Sequence, residues 1–419
     1  MKFFLPDSSD LVDPTFDFES ESRSLHRVRH RDDLYAHEVF DSPPLDGVLV
    51  SKGIVDGIAS SSRYTMAQRQ RLLRVGVREF FRLDEGKRGI RIEAMGDCGA
   101  FSYVNERKPP YTVEEVLDFY SLCGFDSGLS VDHVILPYQA DLDCGLPGVN
   151  APPRDWTERQ QLTIELASSF LKEHRARRDR FVAIGVAQGW SPKSYAEAVV
   201  ALQKQGYRRI AIGGIVPLKT HELMEVMEAV AGVRRDATQF HLLGVSRCER
   251  LVELSRFGAT SFDSTSPLRQ AFKDNTDNYH THHVRRRTYT AIRVPQVEGN
   301  PKVQRAIAAG RLEFEQARKL EQRALQTLIE FDRRAATVED CLNDLREYSN
   351  LVGLDKEFRE SSYRRTLEDR PWKNCKCRVC KDLGIHVAIF RGAERNRRRG
   401  FHNIYALYER LKRERAKSC

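Results

Sequence analysis

The feature that most constrains this chain is a rhythm. Short apolar runs ending in Gly, Asp or Ser alternate with helical stretches through residues 46–263. The runs are 47–51, 89–95, 129–136, 181–186, 209–213, 240–245 and 259–262. Between them, 112–123, 157–178, 194–205, 218–231 and 247–257 carry apolar residues at helical spacing. Strands that alternate with helices form βα units, and successive βα units build a parallel sheet. This many strands in a row predict a TIM-type (β/α)8 barrel of class α/β. An open doubly wound sheet is the alternative, but no GxGxxG follows the first run, as a dinucleotide-binding sheet would require.

A barrel also says where chemistry belongs. The C-terminal ends of its strands form one rim, where groups from several strands converge. Asp97, Gln188, Gly214 and Asp263 each fall at or just after the end of a run. One such residue means little, because a strand-end Asp usually caps a helix. Several at the same relative position make a coherent site.

Around this barrel, 46–270, the rhythm breaks. Residues 1–45 are polar and read as an N-terminal arm. Residues 271–370 read as a helical insertion of nearly balanced charge, including the basic, aromatic stretch NYHTHHVRRRTYT at 278–290. The net charge of +9 is concentrated at the end: residues 371–419 hold 14 Lys/Arg against 4 Asp/Glu. The rest of the chain is therefore close to neutral. A localised basic patch gives phosphates a place to bind and release counterions, which points to nucleic acid; the alternative is a solvated Arg-rich helix face.

That basic end, 371–419, contains Cys375-Lys-Cys377-Arg-Val-Cys380 and, after 21 intervening residues, His402. Three thiolates and an imidazole make a closed tetrahedral Zn2+ site with no open position for water, which is structural rather than catalytic. His386 is the competing fourth ligand, but it lies in the apolar run IHVAIF. Nine cysteines in 419 residues are too scattered for a disulfide scaffold. No run of about 18 apolar residues calls for a membrane span, and the opening MKFFLPDSSDLVDP lacks a signal-peptide core. A cytoplasmic protein is expected.

Five motifs, in order, resemble the tRNA-guanine transglycosylases: MGDCGAF at 95–101, GVAQGW at 185–190, AIGGI at 211–215, FDSTSPLR at 262–269, and CKCRVC with FHNI at the zinc signature. The matches span about residues 45–270 and 371–410. The resemblance implies a TIM barrel with an attached zinc subdomain, and a base-exchange pentosyltransferase. It implies that Asp263 is the nucleophile at C1′ of the nucleoside and Asp97 the general acid/base. Asp132 in FDSGLSVDH would read the N1–H and amino edge of a guanine-like ring, with Gln188 and the backbone of Gly214 and Ile215 at its carbonyl edge. Phe101 would stack on the ring and Leu243 would pack on its other side. Arg269 would contact phosphate.

Cys98 and Ala100 depart from the family's motif, the second Arg after the nucleophile is missing, and the stretch from Asp263 to Cys375 is longer than in ordinary tRNA enzymes. Within the superfamily the chain is most similar to the DNA 7-deazaguanine transglycosylases, which implies exchange of guanine in DNA for 7-cyano-7-deazaguanine (preQ0). A target guanine would then have to be flipped from the duplex. His280, His282, His283 and Arg285, Arg286 and Arg287 are candidates to grip the strand. tRNA is the alternative substrate. A non-catalytic partner subunit is a third reading, opposed by the presence of both Asp97 and Asp263. A metal-dependent barrel hydrolase is a fourth, opposed by the lack of a His cluster at the strand ends. The resemblance leaves accessory DNA-modification proteins and a homodimer open.

Overall fold

The computed structural model describes residues 1–7, 9–58, 63–84, 89–143, 151–245, 247, 250–273, 275–282 and 288–418. Eight parallel strands close into a barrel: β1 Lys2–Pro6, β2 Gly47–Ser51, β3 Glu93–Asp97, β4 Ser127–Leu129, β5 Val182–Ala187, β6 Arg209–Ile212, β7 Gln239–Leu242 and β8 Ala259–Asp263. The ring shuts where β1 pairs with both β2 and β8, with Phe4 opposite Gly47 on one side and Asp263 on the other.

Side chains alternate along a strand, so one face of each fills the interior. Phe4, Leu49, Met95, Leu129, Ile184, Val186 and Ala211 form that filling, with Leu243 packed beside them. Burying this apolar surface supplies the driving force for closure, at roughly 25 cal/mol per Å². Local signals place the outer helices. Thr112 caps Val113–Cys123 in a reciprocal box with Glu115, and Ser191 caps Pro192–Gln205, which begins with a proline at a position that needs no N–H.

The chain divides into two compact units: 1–9, 45–265 and 411–419 in the first, 10–44 and 266–410 in the second. This redraws the expected segments. Residues 2–6 are the first barrel strand rather than part of an arm, and 10–44 belong with the second unit. The strand hides in the sequence because its three-residue apolar core, Phe3–Leu5, is flanked at once by Pro6 and Asp7. The run at 129–136 keeps strand pairing only to Leu129. Beyond it the Ser130 hydroxyl accepts from Val186 N at 3.1 Å, putting a side chain where a ladder carbonyl would be.

In the second unit the expected helical stretch is several helices, Pro301–Ala308, Phe314–Asp332, Val338–Leu351 and Glu360–Asp369. Gly310, at φ +68°, ends the first, and Thr337 starts the third with a capping box on Asp340. The basic run at 391–399 is not an open cationic face. Arg391, Arg395, Arg398 and Arg399 are all buried. Arg391 pairs with Glu21 and Glu321, Arg395 pairs with Glu21, Arg398 donates to the Asp13 carbonyl, and Arg399 to the carbonyls of Val387, Ile389 and Ala271. Four of the fourteen Lys/Arg of 371–419 are thus internal. Among the described residues no helix is long and apolar enough to cross a membrane.

Candidate active site and metal centre

The rim site follows from the same alternation that fills the barrel. Two residues beyond the interior positions Leu49, Met95, Val186 and Ala211 come Ser51, Asp97, Gln188 and Gly213. Each therefore points toward the mouth from the end of its strand. Asp132 arrives from the irregular segment after β4, and Asp263 from the last residue of β8.

Asp132 is 3% exposed. Gln188 Nε2 donates to one of its oxygens at 2.7 Å and the Cys98 thiol to the other at 3.1 Å. Burial nevertheless dominates and lifts its pKa to about 6. Asp97 is half-buried, and its pKa rises further, to about 7. Burial is the largest cause and the negative charge of Asp132 the second; the Gly99 N–H opposes them and Asp263 adds to them. A carboxyl poised near neutrality can both give and take a proton, which suits general acid/base work.

Gln188 is buried, and its Oε1 accepts from Ile135 N at 3.3 Å. The turn facing it has to be glycine. A Cβ on Gly213 would lie 2.3 Å from Gln188 Nε2. Gly214 sits at φ +73°, where a Cβ would meet the Ile135 carbonyl at 2.4 Å. Ile215 is fully buried behind this turn and Leu243 is half-buried. Phe101, 52% exposed, follows the Gly99 turn as an uncovered aromatic ring. Cys98 is wholly buried between Asp132 and the Tyr103 hydroxyl. Burial and Asp132 push its pKa well up, so it stays a thiol and is no nucleophile.

Asp263 is 6% exposed, and its Oδ1 takes two donors, His241 Nε2 at 3.2 Å and Gly244 N at 3.0 Å. His241, Gly244 and Ser51 did not stand out in the sequence. His241 lies inside β7, and only its neighbours across the sheet, Ser261 and Asp263, set it apart from an ordinary polar interruption.

The barrel mouth thus gathers Asp97, Asp132, Gln188, Gly214, Ile215, Leu243 and Asp263 from different strand ends. Arg269 is half-buried on helix Ser266–Lys273 of the second unit. Arg285, Arg286, Arg287 and His283 fall outside the described residues. His280 is half-buried, and burial lowers its pKa to about 3. His282 is half-buried, edge-on to Tyr405.

The second unit holds the cysteine cluster. The ligand atoms of Cys375, Cys377, Cys380 and His402 lie within 4.8 Å of one another, all four residues buried. His402 Nδ1 is 3.7, 3.4 and 3.3 Å from the three sulfurs in that order. Its Nε2 donates to the His280 carbonyl at 2.6 Å, which fixes the tautomer that leaves Nδ1 free to ligate. Tyr279 stacks on the imidazole, with ring centroids 4.2 Å apart. His386 takes no part and faces Arg395 and Phe18. A closed Cys3His donor set of this size fits a tetrahedral metal ion.

Comparison with known proteins agrees with this geometry. Residues 95–299 match the family model described as "Queuine tRNA-ribosyltransferase". A "DNA-guanine transglycosylase" from Salmonella montevideo is 47% identical over 414 residues, 98% of this chain and 96% of that protein. The chain belongs to the guanine transglycosylase family. As a transglycosylase it is a pentosyltransferase built on a TIM-type barrel. The family match spans β3 to β8, the strands that carry Asp97 and Asp263.

Proposed function

We propose that this enzyme exchanges guanine in DNA for a 7-deazaguanine, with preQ0 as the incoming base, through a covalent Asp263–deoxyribose intermediate. The observation that carries the chemistry is one barrel mouth holding Asp263 with an anchored carboxylate, Asp97 with a pKa near 7, and the buried Asp132–Gln188 pair. Glycosidic cleavage passes through an oxocarbenium-like state that a carboxylate can capture while a second group manages protons. Asp263 would bond to C1′ as the base leaves, and Asp97 would protonate the departing ring and later deprotonate the incoming one. Asp132 supplies acceptors for the N1–H and amino edge. Gln188 and the Gly214–Ile215 backbone meet the carbonyl edge, and Phe101 and Leu243 flank the ring. Arg269 and Arg285–Arg287 would contact the phosphate backbone.

The name of the Salmonella montevideo relative supports DNA as the polynucleotide. The matching family, Queuine tRNA-ribosyltransferase, favours tRNA, which stands as the second reading. Zn2+ would occupy the site of Cys375, Cys377, Cys380 and His402. Bound there, it supplies cross-linking of the second unit and no reaction step.

The decisive test is nucleoside analysis of DNA and tRNA from preQ0-producing cells, with the wild type and with Asp263→Ala. A 7-deazaguanine nucleoside in DNA that disappears with the variant is expected. The same base found only in tRNA would transfer the mechanism to the other substrate. No new base in either pool would overturn the exchange reading.

A further inference from the structure

The nucleophile's carboxylate is held asymmetrically. Both of its hydrogen bonds, from His241 Nε2 and Gly244 N, reach Oδ1. Among the described residues none reaches Oδ2. A carboxylate oxygen can only accept, so Nε2 of His241 carries a proton. The ring's other nitrogen, Nδ1, lies 2.8 Å from Ser261 Oγ. Ser261 stands directly opposite His241 in the β7–β8 register and two residues before Asp263 on the same strand face. Phe4 packs its ring at 82° against the imidazole, with centroids 5.7 Å apart. Phe4 is itself fixed by Gly47, where any Cβ would lie 2.3 Å from its ring. His241 is 2% exposed, and this cage leaves it little freedom to turn.

We propose that His241 is a positioning residue for the nucleophile: it clamps Oδ1 of Asp263 and thereby reserves Oδ2 as the oxygen that bonds to C1′. The inference rests on the base-exchange reading above. In the first half-reaction an electron pair on Oδ2 forms the bond to C1′. The C1′–N9 pair leaves with guanine, which takes its proton from Asp97. In the second half, Asp97 removes the N9 proton of the incoming base, N9 bonds to C1′, and the Oδ2–C1′ pair returns to Asp263. Oδ1 is the carbonyl oxygen of the ester between these steps and remains the better acceptor. The His241 bond therefore persists throughout and strengthens as charge returns to the leaving carboxylate. Loss of the donor should slow breakdown of the adduct more than its formation.

The test uses the full-length enzyme, a single-stranded guanine-containing deoxyoligonucleotide and labelled guanine as the exchanging base. Adduct is read on a denaturing gel, and kcat and KM for guanine are measured separately. His241→Phe should lower kcat on the order of 10–100-fold, the cost of removing one aimed donor or loosening one reacting group. KM should stay within about twofold, and the fraction of enzyme trapped as adduct should rise. His241→Gln places an amide N–H near the position of Nε2 and should recover about tenfold of the loss. Ser261→Ala, a milder change, should show the same adduct signature more weakly, and it keeps the test open if His241→Phe does not fold. Equal activity in His241→Phe and wild type, equal losses in the Phe and Gln variants, or a loss confined to KM would overturn the inference alone. Wild type that forms no adduct and exchanges no guanine, like an Asp263→Ala control, would overturn the base-exchange reading and this inference with it.

Discussion

In the barrel mouth Asp97, Asp132 and Asp263 crowd together, and among the described residues no lysine or arginine pairs with any of them. In the second unit Arg391 and Arg395 close on Glu21, and Arg391 also on Glu321, so that buried charge meets its opposite. The consequences are opposite in sign. Burial and like charge raise Asp97 to about 7 and burial raises Asp132 to about 6. Burial also works to raise Glu21, but Arg391 and Arg395 outweigh it and bring it down to about 2. A protein tolerates unneutralised buried carboxylates where a substrate is to use them and neutralises them where they only hold structure. Perturbed acids in a concave site are therefore a functional signal, while ion-pair networks perturb pKa values for other reasons.

The largest effect expected from breaking this contrast is on the structural side. Removing metal with a chelator, or replacing Cys380 with Ser, should unfold the second unit, since closed zinc sites contribute on the order of 10 kcal/mol to folding. Loss of helical circular dichroism with release of about one metal per chain would show it. An unchanged thermal melt would mean the cluster folds without an ion.

Next comes Asp97→Asn, which should lower exchange about 10²–10⁴-fold by removing the proton carrier. It should also stabilise the fold at pH 8, by about 1–3 kcal/mol at most, because it removes a destabilising charge. The sign follows from the raised pKa. Between about pH 4 and pH 7 the folded state binds the extra proton, so wild-type stability falls as pH rises through that window. Above it the penalty is complete. Urea melts of both proteins at pH 5 and pH 8 test this, and a gain at pH 5 equal to that at pH 8 would contradict it.

Glu21→Gln should do the reverse and cost about 3 kcal/mol, since it takes the carboxylate from buried Arg395 and leaves Arg391 with Glu321 alone. Its contribution is present above about pH 4.5 and disappears as pH falls toward 2. Acid melts should therefore separate the wild type and the variant at neutrality and bring them together near pH 2. The smallest effect is at Phe101→Ala, which should leave the melting temperature unchanged and weaken base affinity by about 1–3 kcal/mol through lost stacking, as read by KM for guanine.

The barrel was legible because its strands carry period-two interiors broken by helical spacing, and the rim site because Asp97, Gln188 and Asp263 sit at the same relative position in their repeats. The cysteine spacing foretold the cluster, and the structure selects His402 over His386. What stayed hidden has physical causes. The first strand is too short and too closely followed by Pro6 and Asp7 to show a period. The run expected at 129–136 keeps strand pairing only to Leu129 because Ser130 replaces a ladder bond with its hydroxyl, which no hydropathy pattern records. Within the basic patch read at 371–419, the burial of Arg391 and Arg395 stayed hidden because their partners, Glu21 and Glu321, lie hundreds of residues away in one case and on another helix in the other. His241 escaped because a histidine inside a strand looks like any polar interruption until its neighbour across the sheet is known.

The seam between β1 and β8 also governs how such a chain is made. β1 pairs with residues 261–263, so its second edge has no partner until some 250 further residues have been synthesised. During that interval the growing sheet has an open flank, and sheets with open flanks recruit other strands. Contacts this distant in sequence also form slowly, because a long loop must close before they repay it. Synthesis that outpaces closure should therefore give aggregates nucleated at β1, and slower growth temperatures or a chaperone that shields an apolar strand should raise the yield of closed barrel.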